Sequence, residues 1–407
     1  MKLAFFSPLR PQRSGISDYS EDLLPVLAKS ADIDLFTEQN IPPDNPAISE
    51  SFEVFPYTEF ARRSRSYDLC LYQMGNNPQY HGYMDELIHR YPGIVTVHDF
   101  ALQHYYITLL LKEQKRYDEY VSTMKTYYGE LGEKIAAKFS CGFLHEYPFY
   151  QFPLWQRVVE PSLGTIVHSS YVKAKMLQYD PSYLVEMIPM GIVAPNSDAY
   201  QKEALREKYQ ISADRFIVSA FGYISPGKRI PELLKAFTAF AGNVPEALCL
   251  LVGHLVEPEE LPGFDMRALL KTLGIEQQVR ITGFIPYEAF FDYIALSDIC
   301  VNLRHPTVRA TSANILKIMA LGKPVLISDL CENLDLPTNT CIKIPLDQNE
   351  EAQLVSALQT LYQDLDYRES LGRQAQLHIK LHHSVEQAAE KYLAFCSSIL
   401  ERQHSSG

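Results

Sequence analysis

Residues 302–325 read NLRHPTVRATSANILKIMALGKPV. The stretch begins in one apolar run, Ile299–Leu303, and ends in the next, Val325–Ser328, with a helical segment between them. Thr311 or Ser312 can cap that helix, because a hydroxyl at this place accepts one of its free backbone N–H groups. The stretch therefore predicts a strand, a helix and a second strand, the repeating unit of a parallel α/β sheet.

Two places in the second half of the chain predict anion pockets. Arg304 and Arg309 precede the helix, whose N-terminal N–H groups attract negative charge. Lys228 and Arg229 follow a Pro-Gly turn after the apolar run Phe216–Tyr223, and two cations there suit a diphosphate. A solvated Lys-Arg turn is the alternative interpretation of the second place.

The same alternation extends over the whole chain, which indicates α/β domains with parallel sheets. Six apolar runs lie in each half: Leu3–Ser7, Ile33–Phe36, Leu69–Met74, Ile94–His98, Thr165–His168 and Val185–Pro189, then Phe216–Tyr223, Ala247–Val252, Val279–Phe284, Ile299–Leu303, Val325–Ser328 and Cys341–Pro345. Residues 189–196 separate the halves, because proline, glycine and asparagine favour a linker there. We predict a first domain at 1–192, a second at 193–383 and a last helix at 384–402.

Residues 102–155 interrupt this alternation. Aromatic and aliphatic residues recur at three- and four-residue steps over 102–140, which predicts one or two amphipathic helices inserted into the first domain. Leu109–Leu111 stand beside basic residues, a pattern that can contact a membrane surface. Packing of this helix on its own domain is the favoured interpretation.

Two strand ends of the first half carry further candidates. Gly15 and Ile16 open a helix after the first strand and can approach an anion, although an ordinary turn is the favoured interpretation of this loop by itself. His98 and Asp99 end the fourth strand, where open α/β sheets bind ligands, and can hydrogen-bond a sugar hydroxyl. The alternative is that Asp99 caps the next helix and His98 is satisfied in the core; the two interpretations are equally supported.

Composition and charge exclude several classes of protein. The 407-residue chain has a formal net charge of −12, which argues against a general nucleic-acid-binding protein. No apolar run reaches the roughly 20 residues of a transmembrane helix, and no signal peptide is evident, so we predict a cytoplasmic protein. Seven scattered cysteines without C-x-x-C spacing indicate reduced thiols. Neither a metal nor a cofactor is predicted, because no acidic or histidine cluster near a strand end has ligand spacing.

Taken together, the motifs resemble those of the group 1 glycosyltransferases, family 4. The similar segments are residues 14–19 (SGISDY), 72–77 (YQMGNN), 97–99 (VHD), 167–169 (VHS), 188–191 (IPMG), 221–237, 251–253 (LVG), 282–284 (TGF), 320–325 (ALGKPV) and 384–395. The resemblance implies the GT-B fold, in which two Rossmann-like domains with parallel sheets face each other across a cleft. It also implies that the C-terminal helix crosses back to the first domain.

The family resemblance implies a function as well. A sugar would pass, with retention and without a metal, from a nucleotide-diphosphate sugar to an unidentified sugar, lipid-linked or small-molecule acceptor, in polysaccharide or glycoconjugate synthesis. His98 would contact the transferred sugar and Lys228 the diphosphate, as the two catalytic residues. The donor-binding residues would be Gly15, Ile16, Asp99, Gly222, Tyr223, Arg229, Gly283, Phe284, Arg304, Arg309, Thr311, Ser312 and Lys317.

The chain departs from the family pattern at three positions. Tyr223 stands where most members have an arginine, and the two glutamates of many members fall on Arg309 or Ala310 and on Lys317. The alternative function is therefore a catalytically weak or inactive GT-B protein that binds a sugar nucleotide or a partner. A sugar-nucleotide epimerase of this fold would need a pair of carboxylates that the sequence does not offer. For the active enzyme, we expect a glutamate restored at 317 to be compatible with donor binding.

Overall fold

The structure is a computed structural model that describes residues 1–38, 42–143 and 146–406. It consists of two compact units. The first contains Met1–Gly191, Val308–Thr311 and Val385–Gly407, and the second contains Ile192–Thr307 and Ser312–Ser384. The division after Gly191 falls inside the predicted linker. The segment Val308–Thr311 differs from the sequence prediction, which places all of 193–383 in the second domain.

A parallel sheet forms the centre of the first unit. Its strands are β1 (Lys2–Phe6), β2 (Asp32–Thr37), β3 (Val54–Pro56), β4 (Leu69–Met74), β5 (Ile94–Val97), β6 (Gly164–Val167) and β7 (Val185–Met187), in the order β3-β2-β1-β4-β5-β6-β7. All six residues of β4 are buried, as expected for a strand covered on both faces. The prediction of six strands was wrong by one. It missed β3, which has three residues, ends in proline and pairs only with β2.

Helices of the first unit connect or cover these strands. They are α1 (Gly15–Leu27), α2 (Pro46–Ser49), α3 (Phe60–Arg63), α4 (Pro78–His81), α5 (Met84–Arg90), α6 (Gln103–Tyr106), α7 (Tyr117–Ser140), α8 (Glu146–Gln151), α9 (Gln156–Val159) and α10 (Ser170–Tyr179). Because the sheet is parallel, the residues that follow β4, β5 and β6 meet at one edge.

The inserted helices are anchored in the core of the first unit. A π-helix, Ile107–Glu113, joins α6 to α7, and α7 is interrupted at Gly129, where φ is 62°. Leu109–Leu111 are buried in the core, so they are not available to a membrane surface and the packing interpretation is correct. No helix in the described part of the chain is long and apolar enough to span a membrane.

The second unit repeats the same architecture with six strands. They are β8 (Phe216–Phe221), β9 (Ala247–Val252), β10 (Val279–Ile281), β11 (Ile299–Asn302), β12 (Val325–Ser328) and β13 (Ile342–Ile344), in the order β10-β9-β8-β11-β12-β13. The helices are α11 (Lys202–Lys208), α12 (Ile230–Ala241), α13 (Met266–Leu273), α14 (Tyr287–Leu296), α15 (Ala313–Ala320), α16 (Glu350–Gln363) and α17 (Leu365–His382). All pairings are parallel, so both units have the Rossmann-like topology that the sequence predicts.

The last helix, α18 (Val385–Ser406), belongs to the first unit and packs against α1. Two buried tyrosines join the helices, because the hydroxyl of Tyr19 donates a hydrogen bond of 3.2 Å to that of Tyr392. Tyr392 therefore lies close to the elements that bear the first-half candidate residues.

Candidate functional site

Gly222, Gly253 and Gly283 lie just beyond the adjacent strands β8, β9 and β10, and we call them the glycine edge. All three have positive φ angles, which glycine adopts without strain. A Cβ atom at Gly253 would lie 2.0 Å from the carbonyl oxygen of Gly222, so the two backbones touch only because a side chain is absent. The sequence analysis did not name Gly253, although a glycine at a strand end is a signal of close backbone approach. A Cβ at Gly222 would meet no atom closer than 3.7 Å and one at Gly283 none within 4 Å, so the backbone is uncovered at these two positions.

Lys228 and Arg304, which we call the cation pair, lie beside this edge. Their loops are joined by the Gly227 carbonyl, which accepts a hydrogen bond of 3.0 Å from the backbone N–H of His305. The positive charge of Arg304, together with burial, lowers the pKa of Lys228 from 10.5 to about 7. Within the described residues, the Lys228 ammonium has neither a carboxylate nor a hydrogen-bond acceptor. Like charges held together in this way favour the binding of an anion.

Neutral side chains hold Arg304 in place. Its Nε donates to Asn302 Oδ1 at 3.2 Å, its Nη2 donates to Ser312 Oγ, and its backbone N–H donates to Ser328 Oγ at 2.9 Å. Ser312 is also the N-cap of α15, as predicted, where its Oγ accepts from the N–H of Ile315. These hydrogen bonds orient the guanidinium beside Lys228. Asn302 was not predicted, and its buried amide nitrogen has no partner in the described structure.

Arg229 differs from its predicted role, because its charge is neutralised within the protein. Its guanidinium forms an ion pair with Glu350, 121 residues further along the chain, and a second one of 3.4 Å with Glu232. Arg229 also has a left-handed backbone, with φ of 54°, immediately before α12. These contacts make Arg229 part of the scaffold that positions the loop of Lys228.

Two exposed aromatic rings flank the glycine edge. Tyr223 follows Gly222 and is 61% exposed, and Phe284 follows Gly283 and is 57% exposed. The Tyr223 ring has an edge-to-face contact with His254 at 5.8 Å between centroids. Exposed rings next to a side-chain-free backbone can stack on a flat ligand group.

Lys317, one of the positions where the sequence departs from the family pattern, is buried against aromatic rings. Its ammonium lies 4.5 Å from the ring centroid of Tyr287 and 5.7 Å from that of Phe290, both on α14. Only 6% of the residue is exposed. The electron-rich faces of the rings stabilise a cation and disfavour an anion.

Lys317→Glu is therefore expected to lower the thermal stability, because a buried carboxylate would replace an ammonium on the ring faces. The expectation from sequence that a glutamate here is compatible with donor binding does not take this burial into account. Lys317→Met, which is similar in length and uncharged, is expected to be less harmful. Thermal unfolding measures both variants; equal melting temperatures would show that the rings do not select a cation.

In the first unit, His98 lies among buried polar groups. Its Nε2 is 2.8 Å from Gln73 Oε1, and its ring centroid lies 5.2 Å from that of Tyr19 and 4.9 Å from that of His168. Burial, followed by the neighbouring His168 and His81, holds the pKa of His98 well below 6.5. Burial also lowers the pKa of His168 to about 4 and that of His81 to about 3. The three imidazoles are therefore neutral at physiological pH.

Two other predicted residues of the first unit, Asp99 and Gly15, have contacts that belong to the fold. Asp99 does not cap α6; its carboxylate accepts a 2.8 Å hydrogen bond from the N–H of Asn76. Gly15 begins α1 after Ser14, whose Oγ accepts from the N–H of Ile16 at 3.2 Å. A Cβ at Gly15 would meet no atom within 4 Å, so the packing of the protein itself does not require this glycine.

Arg309 and Thr311 belong to the first unit and not to the cation pair. The Arg309 guanidinium lies 5.9 Å from the ring centroid of Tyr171, and Thr311 Oγ1 donates to the carbonyl of His168 at 3.3 Å. Within the second unit, Gly222 lies beside Lys228, and Arg304 contacts both Lys228 and Ser312, whereas the contacts of Arg309 and Thr311 assign these two residues to the first unit.

Comparisons with known proteins agree with this architecture. Residues 201–378 match the family model described as glycosyl transferases group 1. The Anabaena protein HepE, solved with UDP and glucose, is similar with a TM-score of 0.67 and 16% identity over 98% of this chain and 100% of that one. Sucrose-phosphate synthase from Thermosynechococcus elongatus gives a TM-score of 0.65 and 16% identity over the whole of both chains.

A third structure, WaaG, described as a glycosyltransferase involved in lipopolysaccharide biosynthesis, gives a TM-score of 0.62 and 15% identity over 95% of this chain and 98% of that one. Among curated protein sequences there is no significant match.

Two Rossmann-like units with parallel sheets of seven and six strands define the chain as a GT-B protein, which confirms the predicted fold class. The match of residues 201–378 to the model of the group 1 glycosyltransferases confirms the family resemblance at that level.

Proposed function

We propose that this protein is a retaining, metal-independent glycosyltransferase that uses a nucleotide-diphosphate sugar. The observation that carries the proposal is the cation pair, in which Lys228 has a depressed pKa and no acidic partner in the described structure. A diphosphate supplies the negative charge that this place is missing. The similarity to a structure that contains UDP and glucose makes UDP-sugars the first donors to examine.

In the proposed reaction, Lys228 and Arg304 stabilise negative charge, and His98 accepts a hydrogen bond. Lys228 and Arg304 would stabilise the negative charge that develops on the leaving diphosphate, and the N-terminus of α15 would add its N–H groups. His98 is too weak a base to take the proton of an acceptor hydroxyl at neutral pH. It can instead accept a hydrogen bond from a sugar hydroxyl, while an oxygen of the departing phosphate takes the proton.

A panel of nucleotide-sugars tests the proposal. We expect slow hydrolysis of one UDP-sugar without any acceptor, and we expect the rate to be unchanged by a chelator. Within the described residues, no group of three or more His, Cys, Asp or Glu side chains is placed to hold a metal ion. Hydrolysis that stops with the chelator would contradict metal independence, and absence of hydrolysis for every donor would contradict the enzyme itself.

A catalytically inactive GT-B protein is the second candidate, and the aromatic burial of Lys317 favours it. An ammonium held by Tyr287 and Phe290 cannot accept hydrogen bonds from ribose hydroxyls as the family glutamate can. Binding of a UDP-sugar in calorimetry without hydrolysis, even in the presence of sugar acceptors, would support this candidate.

Binding of UDP is expected to take up a proton at about pH 8 and to weaken as the pH rises. The pKa of Lys228 is about 7 in the free protein, so its amine is largely neutral there, whereas a bound diphosphate favours the ammonium. The affinity should fall above that pKa by up to about tenfold per pH unit. Calorimetry in buffers of different ionisation enthalpy measures the proton uptake, which Lys228→Met should abolish. An affinity independent of pH in the unmodified protein would show that Lys228 is already charged.

A further inference from the structure

A chain of buried hydrogen bonds leads from α18 to His98. The Tyr392 hydroxyl, which accepts from Tyr19, lies 3.2 Å from Thr96 Oγ1. Gln73 Nε2 donates to Thr96 Oγ1 at 3.3 Å, and Gln73 Oε1 is 2.8 Å from His98 Nε2. None of these five hydrogen-bonded residues is more than 7% exposed. Groups so completely removed from water depend on each other for their hydrogen bonds.

Gln73 determines which nitrogen of His98 holds the proton. Its amide nitrogen faces the Thr96 hydroxyl, so its oxygen is the atom that faces the imidazole. An amide oxygen only accepts, so His98 Nε2 must be the donor. A neutral ring has one N–H group, and Nδ1 of His98 is therefore left with a lone pair. No described residue donates a hydrogen bond to that nitrogen.

We propose that Gln73 is a positioning residue that fixes the Nε2–H tautomer of His98, and that Tyr392 of the C-terminal helix supports it through Thr96. The catalytic consequence rests on the proposed function. With this tautomer, His98 accepts a hydrogen bond from a ligand hydroxyl through Nδ1; with the other tautomer it would present a donor there. With that other tautomer, His98 would donate the hydrogen bond and the ligand hydroxyl would have to accept it.

The burial of Gln73 supports this role. It is fully buried in β4, a central strand whose other residues are apolar or aromatic. A buried amide stabilises the protein less than a well-packed apolar residue unless its hydrogen bonds are satisfied. The amide nitrogen of Gln73 is hydrogen-bonded to Thr96 and its amide oxygen to His98. Gln73 therefore orients the imidazole of His98 in addition to filling space in the core.

Gln73→Met tests the proposal, with Gln103→Met as the matched control. Gln103 is also fully buried in the first unit, but its amide donates to Tyr120, at 2.7 Å. The first readout is the pair of side-chain ¹⁵N shifts of His98 in histidine-labelled protein, assigned with His98→Gln. We expect a protonated Nε2 and a bare Nδ1 in the unmodified protein and in the control, and a mixture of tautomers in Gln73→Met.

The second readout is turnover of the donor found in the panel. In Gln73→Met, kcat is expected to fall about tenfold to a hundredfold, because a misoriented contact group affects the reacting geometry. The donor KM should change by less than about threefold, since the diphosphate contacts are untouched. Tyr392→Phe should give a smaller decrease in kcat, and Tyr120→Phe should give none.

Each result decides one of the claims. If Gln73→Met keeps the tautomer and the kcat of its control, or if His98 is protonated at Nδ1 in the unmodified protein, the proposal is overturned. If Gln73→Met does not fold, the ¹⁵N shifts of Tyr392→Phe decide, and shifts identical to those of the unmodified protein overturn the link to α18. A protein that turns over no donor contradicts the proposed function, whereas the shifts still decide the role of Gln73.

Discussion

Replacing Lys228 with methionine is expected to slow donor turnover by roughly 30- to 800-fold while leaving the fold intact. The ammonium beside Arg304 would stabilise the leaving diphosphate, and a charge-assisted contact of this kind contributes about 2–4 kcal/mol to the transition state. The melting temperature should stay the same or rise, because the variant removes the repulsion that lowers the pKa of Lys228. Steady-state kinetics and thermal unfolding of the same preparations measure the two effects.

Lys235→Met is the matched control, because Lys235 is an exposed lysine on the helix that follows the same turn. Its turnover should equal that of the unmodified protein. Full activity in Lys228→Met would show that Lys228 does not stabilise the leaving diphosphate. A large loss of stability would show instead that the cation pair holds the loop together.

Gly253→Ala is expected to destabilise the second unit by about 3 kcal/mol or more. The added Cβ would lie 2.0 Å from the Gly222 carbonyl oxygen, in a backbone with φ of 145° that side chains rarely adopt. Relief requires β8 and β9 to separate at their carboxyl ends, which would strain the 2.9 Å hydrogen bond from the Gly222 N–H to the Val252 carbonyl. Denaturant unfolding followed by circular dichroism measures the loss.

Gly283→Ala is the control that distinguishes the steric clash at Gly253 from the cost of a positive φ angle. Gly283 also has a positive φ, of 71°, but a Cβ there would meet no atom within 4 Å. The cost should be about 1 kcal/mol, the penalty of a left-handed non-glycine residue alone. Equal losses in the two variants would mean that close approach of the backbones is not what requires Gly253.

The parts of the protein that were predictable from sequence depend on local signals. The buried strands are continuous apolar runs in the sequence. Ser312 is recognisable as a helix cap by its hydroxyl, and Lys228 follows a Pro-Gly sequence that favours a turn. The strand β3 has too few residues to show a period. The neutralisation of Arg229 depends on Glu350, which is distant in the sequence.

The arrangement around His98 was not predictable for the same reason. His98 and Asp99 were recognised as a pair at a strand end, but the sequence does not show whether a histidine is buried or what its partners are. Gln73 precedes His98 by 25 residues, and Tyr392 lies 296 residues after Thr96. Only the folded sheet brings these residues together and lowers the pKa of the imidazole through burial.

The cation pair also has a consequence for how this protein would respond to selection. A buried lysine whose pKa is lowered by a neighbouring arginine is a locally frustrated part of the fold, because removing the lysine charge would relieve the repulsion between the two. Directed evolution for heat resistance alone should therefore enrich neutral replacements of Lys228. If Lys228 contacts the donor as proposed, the selected variants would be more heat-stable and would bind the donor more weakly.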